Sequence, residues 1–205
     1  YIPEPGQVIE FNSVVVSEQV RAWGGLPTIV TAVPDLRDDI VSKLSDLSMK
    51  YDVVVVLAGS SAGSEDFTAS SLSKIGSILL HGVAIRPGHP IILGFIKDIP
   101  VIGLPGYPSS TVITSEIFLK MTLGVMLGTQ LRRREKVTAV LSRKTSSPMG
   151  EDEFIRVTLG KIRDQYIATP ASRGAAMTMS MARSDGIAHI PSAMEGIDEG
   201  AEVSV

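Results

Sequence analysis

The run from Asp52 to Leu57, with four consecutive valines, constrains this chain more than any other segment. A strand that is β-branched and apolar without alternation is typical of a parallel sheet covered on both faces. The flanking sequence supplies the covering layers. Leu36, Ile40, Leu44 and Leu47 recur at helical spacing after Pro34-Asp35, and Ser13 to Trp23 reads as a helix with Asn12 at its N-cap and Gly24-Gly25 as its stop. Pro27 to Val33 has the composition of a buried strand between those two helices. After the Ala58–Asp66 loop, Thr68 to Ile75 reads as a helix, and Ile78 to Ile85, Pro90 to Phe95 and Pro100 to Leu104 read as strands. Ser109 or Ser110 caps a long helix whose apolar residues include Val112, Ile113, Phe118, Met121 and Val125. Strands alternating with helices predict an α/β fold over residues 1–130, doubly wound around a mostly parallel sheet.

The character changes near Gly128. A charged run, Arg132 to Arg134 followed by Glu135-Lys136, reads as a solvated joint. Short alternating segments follow: Lys136 to Leu141, Glu153 to Leu159, Gln165 to Thr169, Gly186 to Ile190 and Ala201 to Val205. Ser, Pro, Gly and Asp separate them, which predicts a small all-β domain, barrel or sandwich, over residues 136–205.

With 44% hydrophobic and 20% charged residues the chain is an ordinary globular one, and its 205 residues suffice for a substantial core. A net charge of -3 argues against duplex nucleic acid as the main partner, because neutralising phosphates needs a basic face. With no cysteine, disulfides, zinc thiolates and thiol nucleophiles are excluded, which fits a cytoplasmic protein. No apolar run approaches the length of a membrane span. The chain opens on Tyr1 and a turn-like Pro-Glu-Pro-Gly stretch, so it reads as a piece of something longer.

Three loops could carry chemistry. Gly59-Ser60-Ser61-Ala62-Gly63-Ser64-Glu65-Asp66 directly follows the valine strand. Its small residues let backbone N–H groups approach an anion, and Glu65 or Asp66 could hold a hard cation. The plain alternative is a flexible connection with Asp66 as a helix cap. Arg86-Pro87-Gly88-His89-Pro90 is a stiff turn in which Arg86 can offer a phosphate two donors and His89 can exchange a proton; a tight turn with solvated polar residues is the alternative. Gly103-Leu104-Pro105-Gly106-Tyr107-Pro108 lies between a buried strand and the long helix, where Tyr107 could stack on a flat ring, or the geometry could simply serve helix entry. His81 and His189 read as ordinary packing or surface residues, and Glu151-Asp152-Glu153 as surface charge.

In this order and at these separations, the three loops resemble those of the molybdopterin molybdotransferases, the family of MoeA and the gephyrin E domain. Gly6-Gln7-Val8-Ile9-Glu10-Phe11-Asn12-Ser13 and Gly186-Ile187-Ala188-His189-Ile190-Pro191 are similar to two further segments of that family, so the resemblance runs over nearly the whole chain. It implies an α/β domain that binds adenylated molybdopterin, with molybdate inserted as AMP leaves and Mg²⁺ assisting, in a homodimer. By position, Asp66 would serve the molybdate and Mg²⁺ site with Glu65 beside it, and Gly59, Ser60, Ser61 and Gly63 would cradle phosphate. Pro105, Gly106, Tyr107 and Pro108 would line the pterin crevice. Arg86 and His89 stand where the family usually has lysines, and Tyr107 where it usually has Asn. Arg156 and Ser180 would match polar residues that the last domain turns toward the same cleft. The family's first α/β strand and its Gly-Asp-Glu motif should precede Pro3, so turnover by this piece alone is expected to be poor. Two alternatives accompany this reading: molybdopterin adenylyltransferase-like activity, or a non-catalytic scaffold or sensor that binds molybdopterin or an oxyanion.

Overall fold

The structure is a computed structural model, and it describes residues 9–57, 67–132, 134–173 and 178–205. In chain order its elements are α1 (Asn12–Ala22), α2 (Arg37–Ser48), β1 (Val54–Leu57), α3 (Phe67–Ile75), β2 (Ser77–His81), β3 (Ile85–Arg86), β4 (Ile92–Ile96) and β5 (Ile99–Leu104). A continuous helical run follows: α4 (Pro108–Thr114), a π-helical turn (Ser115–Leu119) and α5 (Lys120–Met126). The remainder comprises β6 (Thr138–Leu141), β7 (Thr145–Ser146), β8 (Asp152–Ile162), β9 (Gln165–Pro170), α6 (Thr178–Ala182), β10 (Gly186–Ile190), β11 (Gly196–Ile197) and β12 (Glu202–Ser204).

The first sheet has the order β1-β5-β4-β2 and is covered on both faces, as the doubly wound reading requires. Against one face, Ile40 and Leu44 of α2 and Ala69 and Leu72 of α3 pack on Val54, Ile92, Ile96 and Val101. Against the other, Val16 and Trp23 from α1 and its C-cap join Leu119 on Ile91, Ile102 and Leu104. Neighbouring Val101 and Ile102 belong to opposite clusters because successive strand side chains alternate faces. The α/β class is as expected, but the strand directions are mixed rather than mostly parallel. β1 runs parallel to β5, whereas β5 pairs antiparallel with β4 and β4 antiparallel with β2. The reason is local. Only Lys97 and Asp98 separate Ile96 from Ile99, with Lys97 at φ 53, and two residues can return a chain only antiparallel.

Pro27 to Val33 does not form the expected buried strand. The segment passes from α1 on one face to α2 on the other, residues 28–32 are exposed, and among the described residues β1 has a ladder partner only in β5. β-branched composition expresses a preference for extended backbone, but a strand also needs a neighbour to bond. The end of the long helix departs from expectation too, because Met121 and Val125 face outward.

The second sheet runs β10-β8-β9-β6-β12, with β3 pairing to β8 and β11 pairing to β7 in a separate two-stranded ladder. Its core is Ala139, Leu141, Ile155, Val157, Ala168, Ala188, Ile190, Ile197 and Val203, from most of its strands. The sheet curls until a side chain at Gly186 would collide with Val205, which gives the barrel-like closure expected of the C-terminal segment. β3 links the two sheets. Ile85 pairs with Asp152 and Arg86 with Glu153, so the turn after β3 is anchored to the second sheet.

Candidate functional site

Leu57 pairs with Leu104, so β1 and β5 end side by side at one end of the first sheet. In open α/β sheets ligands collect beyond the carboxyl ends of such strands. The loop residues Gly59, Ser60, Ser61, Gly63, Glu65 and Asp66 lie outside the described residues, which stop at Leu57 and resume at Phe67.

The loop after β5 is held from three directions. Asn12 Nδ2 of α1 donates to the Gly106 carbonyl at 2.7 Å, and Thr111 Oγ of α4 donates to the Pro105 carbonyl at 2.5 Å. From the second sheet, Arg156 Nη1 donates to Ser109 Oγ at 2.8 Å. Pro105 is buried, Gly106 and Pro108 are half-buried, and Tyr107 is exposed with its ring available to a ligand. Pro108 occupies the first helical turn, where its missing N–H is no loss.

The Arg86–His89 turn backs onto the same helix. Gly88, at φ 123, lies so close to Thr114 that a β-carbon there would have to displace the threonine methyl, so glycine is required for both reasons. Thr111 and Thr114 are three residues apart on α4, about 4.5 Å along the axis. The turn and the post-β5 loop therefore sit within one helical turn of each other. Across from the turn lies Glu151, with Oε2 at 3.9 Å from Arg86 Nε and Oε1 at 3.9 Å from His89 Nδ1.

Arg156 and Ser180, the two residues expected from the second sheet, occupy different settings. Arg156 is 8% exposed and also donates from Nη2 to the Ser172 carbonyl at 3.0 Å, so it fastens β8 to the helical entry. Burial pushes its guanidinium below the ordinary arginine value. Ser180 lies on α6, which packs against α4, and lines a cavity of about 260 Å³ with Thr158, Ala171, Met179, Arg183 and Ser184.

Several contacts around these loops are not foreseen from the sequence. Asn12 is the first residue of α1, behind an N-cap at Phe11, and Glu10 receives the N–H of Ser13 at 2.8 Å in the capping role. Glu151-Asp152-Glu153 is not undifferentiated surface charge. Glu151 faces the turn, Asp152 accepts from His189 Nε2 at 2.8 Å, and Glu153 is only 3% exposed and pairs with Arg173 at 3.2 Å. His189 accordingly has a carboxylate partner and stacks on Phe154. Nothing in the spacing of these residues foretells the contacts, which arise from β3 and β10 flanking β8. Among the described residues no three His, Asp or Glu side chains converge as metal ligands.

Comparison with known proteins decides the kinship. A family described as "Probable molybdopterin binding domain" matches residues 4–125, and the "MoeA C-terminal region (domain IV)" matches residues 138–205. The chain belongs to the MoeA family. It is 29% identical to a molybdopterin biosynthesis protein of Methanocaldococcus jannaschii over 98% of this chain and 47% of that one. It is 25% identical to the molybdopterin molybdenumtransferase of Bacillus subtilis over the same shares of the two chains. Among solved structures, a molybdopterin biosynthesis MoeA protein from Pyrococcus horikosii superimposes with a TM-score of 0.84 at 31% identity, covering 100% of this chain and 49% of that one. The chain thus spans about half the length of the MoeA-family relatives it matches. No helix among the described residues is long and apolar enough to cross a membrane.

Proposed function

We propose that this chain is the ligand-holding half of a cytoplasmic molybdopterin molybdotransferase, which inserts molybdate into adenylated molybdopterin with release of AMP. The carrying observation is the convergence of the Pro105–Pro108 loop and the Arg86–His89 turn on one helical turn of α4, beside the paired ends of β1 and β5. In this reading Tyr107 stacks on the pterin, and Pro105, Gly106 and Pro108 form its floor. Gly59, Ser60, Ser61 and Gly63 cradle phosphate. Arg86 and His89 stabilise charge that develops on the AMP phosphate as the phosphoanhydride is cut. Arg156 acts by holding Ser109 at the helix entry, and Ser180 borders the cavity between α6 and Thr158 of β8.

Asp66, with Glu65 next to it, is the acid this reading offers to Mg²⁺; the described residues supply no alternative cluster. The C-terminal match at residues 138–205 favours the transferase over the adenylyltransferase alternative. A homodimer is part of the proposal, supported by the apolar outer face of α5, where Met121 and Val125 stand exposed. That face equally suits a scaffold role, which would bind ligand without releasing AMP. We also place the two functional units at residues 1–130 and 136–205.

The test is AMP release from adenylated molybdopterin, with and without molybdate and Mg²⁺, for this chain and its Asp66→Asn variant. Molybdate-dependent release that drops at least tenfold in the variant is expected. Release that is unaffected by the substitution removes Asp66 from the site, and tight ligand binding without any release selects the scaffold.

A further inference from the structure

We propose that Glu151 is the internal competitor of the oxyanion at the Arg86–His89 turn: its carboxylate faces both side chains and sets how tightly an oxyanion binds there. The inference rests on reading that turn as an oxyanion contact, and it concerns a residue from the other sheet.

Backbone pairing, rather than the ion pairs themselves, fixes Glu151 in place. The next residue, Asp152, donates its N–H to the Ala84 carbonyl at 2.9 Å, and the β3–β8 ladder continues with Ile85 opposite Asp152 and Arg86 opposite Glu153. Glu151 therefore stands immediately before β8, facing the turn, whether or not its carboxylate is engaged. Its two oxygens are divided between the Arg86 and His89 side chains, each at 3.9 Å. That distance gives Coulombic attraction but is too long for a hydrogen bond. A ligand oxygen that approaches to hydrogen-bond length replaces this contact with a stronger one. Arg86 and His89 are both more than half exposed, so such a ligand can reach them.

The neighbouring charges are committed elsewhere. Asp152 accepts from His189 and from the Ser192 N–H, while Glu153 is buried against Arg173. Of the three consecutive acids, Glu151 is the one directed at the turn. Arg86 and His89 together offer more donors than the single Glu151 carboxylate engages. A tetrahedral dianion is the chemistry that such a turn recognises, and molybdate and the phosphate of AMP share it.

The experiment is calorimetric titration of the full chain at low ionic strength with sodium molybdate, and separately with AMP, for wild type, Glu151→Gln, Arg86→Gln and the double variant. Circular dichroism and melting check folding, and Glu151→Ala serves as the second probe of the position. Glu151→Gln is expected to tighten binding by about two- to fivefold, the range of a partly exposed ion pair. The gain should shrink in 0.5 M salt as screening grows, and should vanish in the Arg86→Gln background. Binding by the wild type that Glu151→Gln leaves unchanged or weakens overturns the inference and spares the oxyanion reading of the turn. A gain that persists without Arg86 also overturns it, because the carboxylate would then be acting at a distance. If neither wild type nor the glutamine variant binds either anion, the oxyanion reading fails and this inference with it. Which oxyanion shows the larger gain identifies the ligand that meets the turn.

Discussion

The two sheets differ in how completely they enclose their own apolar surface. In the second, strands from β6 to β12 contribute to a single buried cluster around Val157, Ala188 and Ile190, and Ile162 and Tyr166 are exposed at its hairpin end. In the first, two layers of helices cover the faces, yet Leu26 is 96% exposed, Ile29 and Val30 are exposed beside it, and α5 has no buried residue. A small barrel hides its edges by curling, whereas an open sheet leaves its edge strand and outer helices to be covered by something else. Self-containment in one region and unfinished surface in the other suggest a division of labour. The barrel-like part presents Arg156 to Ser109 and Glu151 to Arg86, and the α/β part keeps apolar side chains exposed.

The largest effects should come from core truncations that ask whether the two regions melt separately. Leu72→Ala opens a cavity between α3 and the first sheet, and Ile190→Ala opens one in the second core; each should cost about 2–5 kcal/mol. If the second sheet is self-contained, calorimetry of Leu72→Ala will show one transition lowered and one nearly unmoved, with the reverse for Ile190→Ala. A single transition lowered by both would mean that the β3–β8 ladder and the Arg156 contact weld the regions into one cooperative unit. Arg156→Met tests that weld at a smaller scale. It leaves Ser109 Oγ and the Ser172 carbonyl without the guanidinium, at a cost of about 1–3 kcal/mol. Removing a desolvated charge offsets part of that loss. If two transitions exist, they should move further apart in this variant. Unchanged melting would reduce Arg156 to a bystander at the joint.

Legibility in the sequence divides along physical lines. Elements fixed by local pattern were readable: α2 from Ile40 and Leu44, β1 from its valines, and β10 from Gly186 to Ile190. Elements fixed by a partner were not. Pro27 to Val33 has strand composition but no ladder among the described residues, and strand direction in β4 and β5 depended on the two-residue link at Lys97-Asp98. The site shows the same split. Loop positions were visible because prolines and glycines punctuate the sequence, and Gly88 proved necessary for a close approach to Thr114. The clamps from Asn12 and Arg156, and the carboxylate of Glu151 facing Arg86 and His89, come from residues far apart in sequence. No periodicity or motif encodes a contact between β8 and the turn after β3; only the pairing of those strands creates it.

The smallest change in stability is expected where the comparison makes its sharpest claim, on the outer face of α5. Met121 and Val125 lie four residues apart, hence on one stripe of the helix, and Val125 is 78% exposed. Val125→Glu removes almost no buried contact within the chain, so its melting temperature should stay within the range of ordinary surface substitutions, about 0.5 kcal/mol in stability. Self-association is another matter. The ion pairs on and after this helix are of mixed sign, Lys120 and Arg134 on Glu116 and Arg132 on Glu135, so net charge does not oppose a second copy of the same surface. A charge placed on the apolar stripe of both copies opposes itself across a two-fold axis. Sedimentation should show the wild type as a dimer and Val125→Glu as a monomer of unchanged fold. A dimer that survives the substitution would move the interface away from α5, and a marked loss of stability would show that this helix is covered by its own chain after all.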